Sequence, residues 1–366
     1  MAYSNVGTPV FYIDNYLYHK TVSGYTLGGG TSSWGAGELT ESYHGLDCAN
    51  QKDLMNPYSF DMPVDFSDYN FSGSENMSFY LAFLNHSLRE TEISQAGAYN
   101  ADIFVEDTPI DELNPTDVFN FGISGTSILP RNGSSILTSN EVTGKNIEIS
   151  LSANEVTDLI SSFKLGSISC GIKYKMPYSP DLNVNMSIDF DGITNMSTSG
   201  GNTISNINYS GAPLWYSYLS DNSTIVGTNQ FETWEDSTDV QFGARRNGRK
   251  TWTLSFSFIA DNDLFSSNQR ATKYTNHPSD STYEDNDLST GEQSEDNDFA
   301  YNIETDDSFY AQVWNKTLGG GLPFIFQPDS NNNDDFYICR FDSNTLSVEQ
   351  VAYKAYNMSV TIVESW

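Results

Sequence analysis

The chain has 366 residues, enough for two domains or for one β-domain carrying a large insertion. Hydrophobic residues make up only 38%, but 22 Tyr and 22 Phe supply the core with bulky rings, and the Asn, Ser, Thr, Asp and Gly of the remainder favour strands and turns over helices. Forty-eight acids against seventeen bases give a net charge of −31, a field that excludes a nucleic-acid partner and an anionic membrane surface.

The opening Met1-Ala2-Tyr3-Ser4 has neither a basic region nor an apolar run, so no signal peptide is expected, and no segment reaches the length of a membrane-spanning helix. Thr8 to Tyr18 reads as a strand, broken by Gly24. The Gly- and Ser-rich stretch 28–37 reads as a loop. From 45 to 180 the pattern is that of a β-domain. Phe79 to Leu84 is a short apolar run suited to a buried strand, and Ala101 to Glu106 is another strand. Ile147, Ile149 and Leu151 alternate with polar residues. Ser152 with Glu155 forms a capping box ahead of an amphipathic helix through Val156, Leu159, Ile160 and Phe163. Ile168, Cys170, Ile172 and Tyr174 alternate again.

The pattern restarts near 181. Val184, Met186, Ile188 and Phe190 alternate ahead of the Asp191-Gly192 turn signal, and Leu214 to Leu219 is an aromatic strand. Thr251 to Ile259 places Trp252, Leu254, Phe256 and Phe258 on one face. Residues 273–307 form an acidic loop, with no Lys or Arg from Tyr274 to Asn315. Beyond it, Asp306, Asp307 and Ser308 offer N-caps to a helix whose buried face is Phe309, Val313 and Lys316 and which Gly319 to Gly321 end. Strands follow at Leu322 to Gln327, Asp335 to Asp342 and Tyr356 to Trp366. The last turns Met358, Val360, Ile362 and Glu364 to one side.

The expected fold class is therefore mainly β: two β-sandwich or jelly-roll-like domains with a few short helices. In this division 1–44 supplies an N-terminal strand and loop that join the C-terminal sandwich. Residues 45–180 are an inserted jelly-roll-like domain, and 181–366 form the C-terminal sandwich with the acidic loop.

Motifs for chemistry are sparse. The histidines at 19, 44, 86 and 277 are scattered, and there is no nucleophile elbow, phosphate loop or dinucleotide fingerprint. Cys48, Cys170 and Cys339 are odd in number and too dispersed for a zinc pattern, which suits free buried thiols. Asp189-Phe190-Asp191, Asp261-Asn262-Asp263 and Asp285-Asn286-Asp287 lack the full spacing of a calcium loop and read as turns. No cofactor and no metal are expected. Arg245, Arg246, Arg249 and Lys250 concentrate four of the seventeen bases beside the Asn247-Gly248 bend. They read either as a solvated turn or as a cationic patch that docks on the acidic surface of a neighbouring copy. Trp34, Trp215 and Trp234 lie near turns, where they would stack on sugar rings in an adhesin or pack in the ordinary way.

Several segments resemble structural proteins of marine tailed viruses. These are Gly7 to Asp14 (GTPVFYID), Phe79 to Leu88 (FYLAFLNHSL), Gly248 to Phe258 (GRKTWTLSFSF), Phe309 onward (FYAQVWNKTLGGGLPFIFQPD, then FYICRFD) and the terminal YNMSVTIVESW. Ser87 stands where the Asn-His-Asn-Leu signature of such jelly rolls has its second Asn. The resemblance implies a non-catalytic virion tail component (tube, distal ring or baseplate hub), β-sandwich cores, assembly with copies of itself and other tail proteins in a symmetric ring or tube, and a place in the virion after assembly in the host cytoplasm. The alternative is a carbohydrate-binding adhesin or receptor-binding module of a virion.

Overall fold

The computed structural model describes residues 7–23, 46, 52–54, 58–62, 66, 68–84, 99–105, 108–109, 127–128, 135–140, 142, 147–153, 163–182, 184–190, 193–207, 248–265, 303–332 and 335–365. The chain is mainly β. The strands of its first half are Val10–Asp14 (β1), Lys52–Leu54 (β2), Tyr58–Met62 (β3), Met77–Leu84 (β4), Tyr99–Val105 (β5), Thr108–Pro109 (β6), Ser127–Ile128 (β7), Ser135–Ser139 (β8), Ile147–Ala153 (β9), Phe163–Leu165 (β10) and Ser167–Lys175 (β11). Those of its second half are Asn185–Asp189 (β12), Ile193–Ser197 (β13), Thr203–Ile207 (β14), Arg249–Ala260 (β15), Phe324–Gln327 (β16), Tyr337–Phe341 (β17), Val348–Ala352 (β18) and Ala355–Glu364 (β19). Among the described residues the helices are Asn15–Ser23 (α1), the single turn Asp261–Leu264 (α2) and a π-helix at Tyr310–Asn315.

One antiparallel sheet of eleven strands dominates, in the order β12-β15-β19-β17-β16-β1-β11-β4-β8-β7, with β18 added on β19. The other sheets among the described residues are the pairs β10-β2 and β13-β14 and the four-stranded β3-β9-β5-β6. β1 sits inside the large sheet, bonded to β11 on one side and β16 on the other. The sheet is thus continuous from strands of the 45–180 region to strands of the 181–366 region, and the first strand of the chain joins them.

Its two faces pack differently. On one face Phe11 and Ile13 continue through Ile172 and Cys170 of β11, and Phe79 and Leu81 of β4. In the other direction that face runs through Phe326, Cys339, Ile362 and Trp252. The π-helix lies over this face through Phe309, Val313 and Trp314. Phe11 is its hub, with ring centroids of Phe309, Phe324, Phe326 and Phe341 5.8, 5.6, 5.4 and 6.1 Å away. Such ring pairs add about 0.5–1.5 kcal/mol each beyond their buried area. The opposite face carries a smaller cluster through Val10, Tyr12, Tyr80, Ile325 and Ile338. Burial on both sides explains why β1, β4 and β16 read as unbroken apolar runs rather than alternating ones. β1 and β11 approach so closely that a Cβ on Gly171 would lie 2.0 Å from the Ile13 carbonyl oxygen.

Several sequence expectations need correction. The first strand stops at Asp14 instead of reaching Tyr18. The Asp14 carboxylate accepts a hydrogen bond from the Leu17 amide at 2.8 Å and so caps α1. Ser152 is no helix cap, because it lies inside β9, and Phe163 opens β10. The helix expected between them falls at 154–162, outside the described residues. In β15 the alternation holds through Phe256, but the register against β19 then shifts. Phe258 takes a positive φ of 59° and is 68% exposed, and Ile259 turns inward in its place. A bulge of this kind changes which face the following side chains meet.

At the C-terminus the expectations hold. Ser308 accepts from the Ala311 amide at the start of the helix, Phe309, Val313 and Lys316 are buried, and Gly319 and Gly320 adopt positive φ at its end. The helix is π rather than α, and β18 is an additional strand. Met358, Val360, Ile362 and Glu364 all face inward. The loop expected at 28–37 and the strand expected at 214–219 lie outside the described residues, as does 273–302 of the acidic loop expected at 273–307. The described end of that loop, 303–307, is not simply exposed, because Asp306 is buried and the Glu304 carbonyl accepts from Lys316.

Candidate functional site

Two places depart from a simply packed sheet. The first is the β12 end of the large sheet. β12 pairs antiparallel with β15, with Met186 opposite Trp252 and Ile188 opposite Lys250. Directly opposed residues share a face, so Met186 and Ile188 extend the face that buries Trp252. Val184 still packs against that core, but Met186 and Ile188 are 52% and 48% exposed. Alternation from Val184 to Phe190 is real, and its apolar side runs out into solvent. No described strand pairs with the outer edge of β12.

The hairpin β13–β14 follows directly in sequence. Its register sets Met196 opposite Ile204 and Ile193 opposite Ile207. Thr198 and Asn202 close its tip with reciprocal bonds of 3.1 Å, and the Ser205 hydroxyl donates to Asn195 Oδ1 at 2.6 Å. The strand expectations missed this hairpin because its apolar residues fall three apart, Ile193 and Met196 and then Ile204 and Ile207, and so show no two-residue alternation. A signal was present in the charges: from Gly192 through Ser220 there is no Asp, Glu, Lys, Arg or His.

Of the basic quartet, Arg245 and Arg246 lie outside the described residues. Arg249 and Lys250 open β15 and are half-buried. The Lys250 amide donates to Glu364 Oε2 at 2.8 Å. Its Nζ donates to the Tyr337 hydroxyl at 2.6 Å and sits 4.3 Å from that ring's centroid. Lys250 therefore spends its charge within the chain, across β15, β17 and β19. Trp34, Trp215 and Trp234 lie outside the described residues, as do Cys48, His44, His86 and His277. Cys170 and Cys339 are buried and unbridged. Among the described residues no cluster of His, Cys, Asp and Glu is arranged to hold a metal ion, and no helix is long and apolar enough to cross a membrane.

The second place is a buried polar cluster around Lys316, just past the π-helix. The residue is fully buried, and its Nζ donates to the Tyr69 hydroxyl at 2.5 Å, to Gln312 Oε1 at 2.6 Å and to the Glu304 carbonyl at 2.9 Å. Asn15 Nδ2 donates to the same Tyr69 hydroxyl at 3.2 Å, and the Tyr18 hydroxyl donates to Glu304 Oε1 at 2.9 Å. Gln312 Nε2 donates to the Glu304 carbonyl at 3.0 Å and also to the Asp306 carbonyl. Burial pulls Lys316 down to about 7, against the smaller opposing pull of the Glu304 carboxylate. An amine near neutrality can serve as base or nucleophile. This one is sealed from solvent, so its three bonds act on the protein itself. They fasten the π-helix to the 66–71 segment and, through Asn15, to the start of α1.

Aside from this cluster, the strongly shifted groups among the described residues are buried hydroxyls and thiols. Tyr80 and Cys170 are pushed well up by burial and then by Asp14, while Ser169 donates to Asp14 Oδ2 at 2.9 Å. No protein-family model, curated protein or solved structure matches this chain.

Proposed function

We propose that this chain is a non-catalytic structural subunit that assembles with copies of itself, and that it does so in the tail of a tailed virus, as a tube, distal-ring or baseplate-hub component. The observation that carries self-assembly is the open end of the large sheet. The apolar row that buries Trp252 continues onto Met186 and Ile188, where it meets solvent on a strand whose outer edge no described strand pairs. An unpaired edge with apolar side chains is a template for a further strand. The viral setting rests on the sequence resemblance, which also carries the finer reading of the fold as β-sandwich or jelly-roll-like domains.

Negative-stain microscopy of the concentrated, purified protein tests the reading. Rings or tubes of repeating copies are expected. Isolated particles of single-chain size at every concentration refute it.

A further inference from the structure

The hairpin β13–β14 is exposed throughout. From Ile193 to Asn206 only Thr198 is even half-buried, and the pair Met196 and Ile204 is 62% and 54% exposed. A two-stranded hairpin with neither face packed is marginal in water, so burial of the Met196–Ile204 face would stabilise it. Its edges also lack the usual guards. Neither strand carries a Lys, a Pro or any charged residue, and neither outer edge is paired among the described strands. The opposite end of the large sheet is treated differently, tapering from the five residues of β8 to the two of β7.

Charge identifies the occupant. A basic partner would gain from the field of a chain of net charge −31 without needing an uncharged face. A strongly acidic partner gains most where carboxylates are absent, and a second copy of this chain is such a partner. We infer that the uncharged hairpin β13–β14, together with the outer edge of β12, is the surface through which one copy docks on the next. Met186, Ile188, Met196 and Ile204 lose water in that contact, to which the hairpin strands bring no charge and β12 brings only Asp189. The inference rests on the self-assembly reading and assigns its contact.

The test is the double variant Met196→Thr with Ile204→Thr in the full chain, with Tyr353→Thr, a 79% exposed site on the β18–β19 turn, as the control. Association is followed by light scattering coupled to gel filtration, and circular dichroism checks the fold. Threonine keeps strand propensity at this directly opposed pair and places no like charges across it, and both side chains are exposed, so folding is retained. The double variant is expected to weaken association by about tenfold or more, the scale of losing a buried contact residue, while the control associates as wild type does. Wild-type association unchanged in the double variant overturns the inference and leaves self-assembly standing. Equal loss in the Tyr353→Thr control overturns it as well. A wild-type chain that never associates overturns both readings.

Discussion

Lys316→Met tests the buried cluster through the pH dependence of stability. With a folded value near 7 and an ordinary value of 10.5, the folded chain holds fewer protons than the unfolded chain between those limits. Stability then rises with pH in that window, is fully present above 10.5 and is lost as pH falls through 7. At about 1.4 kcal/mol per pH unit, less the part already titrated at pH 7, the wild-type chain gains about 2 kcal/mol from pH 7 to pH 9 through this one group. The groups facing Lys316 are Glu304 from the 303–308 segment, Tyr69 from the loop before β4 and Gln312 from the π-helix, with Tyr18 and Asn15 of α1 behind them. Methionine keeps the length of the stem and removes the titration. Urea unfolding at pH 7, 8 and 9, followed by tryptophan fluorescence, gives the two profiles. Wild type minus variant should rise by about 2 kcal/mol over that range. Parallel profiles would show that the three hydrogen bonds hold the ammonium charged at neutral pH and would refute the reasoning.

Other outcomes follow from the packing. Gly171→Ala forces a Cβ against the Ile13 carbonyl and should cost about 1–3 kcal/mol, read as a lowered urea midpoint; an unchanged midpoint would mean that β1 and β11 separate freely. Ile362→Ala removes a fully buried side chain from the face shared by both halves of the sheet and should cost about 2–5 kcal/mol. Because that core is continuous, hydrogen exchange should rise in β4 and β11 as well as in β15 and β19, and a rise confined to the latter pair would mark the halves as independent units. Salt separates two modes of docking. Contact through the uncharged hairpin strengthens as salt screens the repulsion between acidic copies, whereas contact through Arg245 and Arg246 on acidic surface weakens.

The parts of this fold legible in the sequence are those set by local periodicity. β19, β15 up to Phe256, and the C-terminal helix with its Ser308 cap and glycine end each carry their own signal within a dozen residues. The Phe258 bulge was hidden because a register shift depends on the partner strand, and Asn357, whose side chain accepts from the Phe258 amide at 3.2 Å, is remote in sequence. Asp14 illustrates a competition that composition alone does not resolve. The run around it suits a strand, yet a buried carboxylate positioned to cap Leu17 starts a helix instead. Long-range pairing was the least visible. The first strand is expected to join the C-terminal strands, but no local signal shows that its other edge will pair with β11 and carry one sheet across the expected domain boundary. The Lys316 cluster was half visible: spacing placed the residue on the buried face, but its partners Tyr69 and Glu304 come from other segments.

Sedimentation velocity of the full chain over a rising concentration series, at a salt level high enough to screen its charge, tests self-assembly most directly. Species that grow beyond the 40.7 kDa of a single chain as concentration rises are expected. A single boundary at 40.7 kDa at every concentration would contradict it.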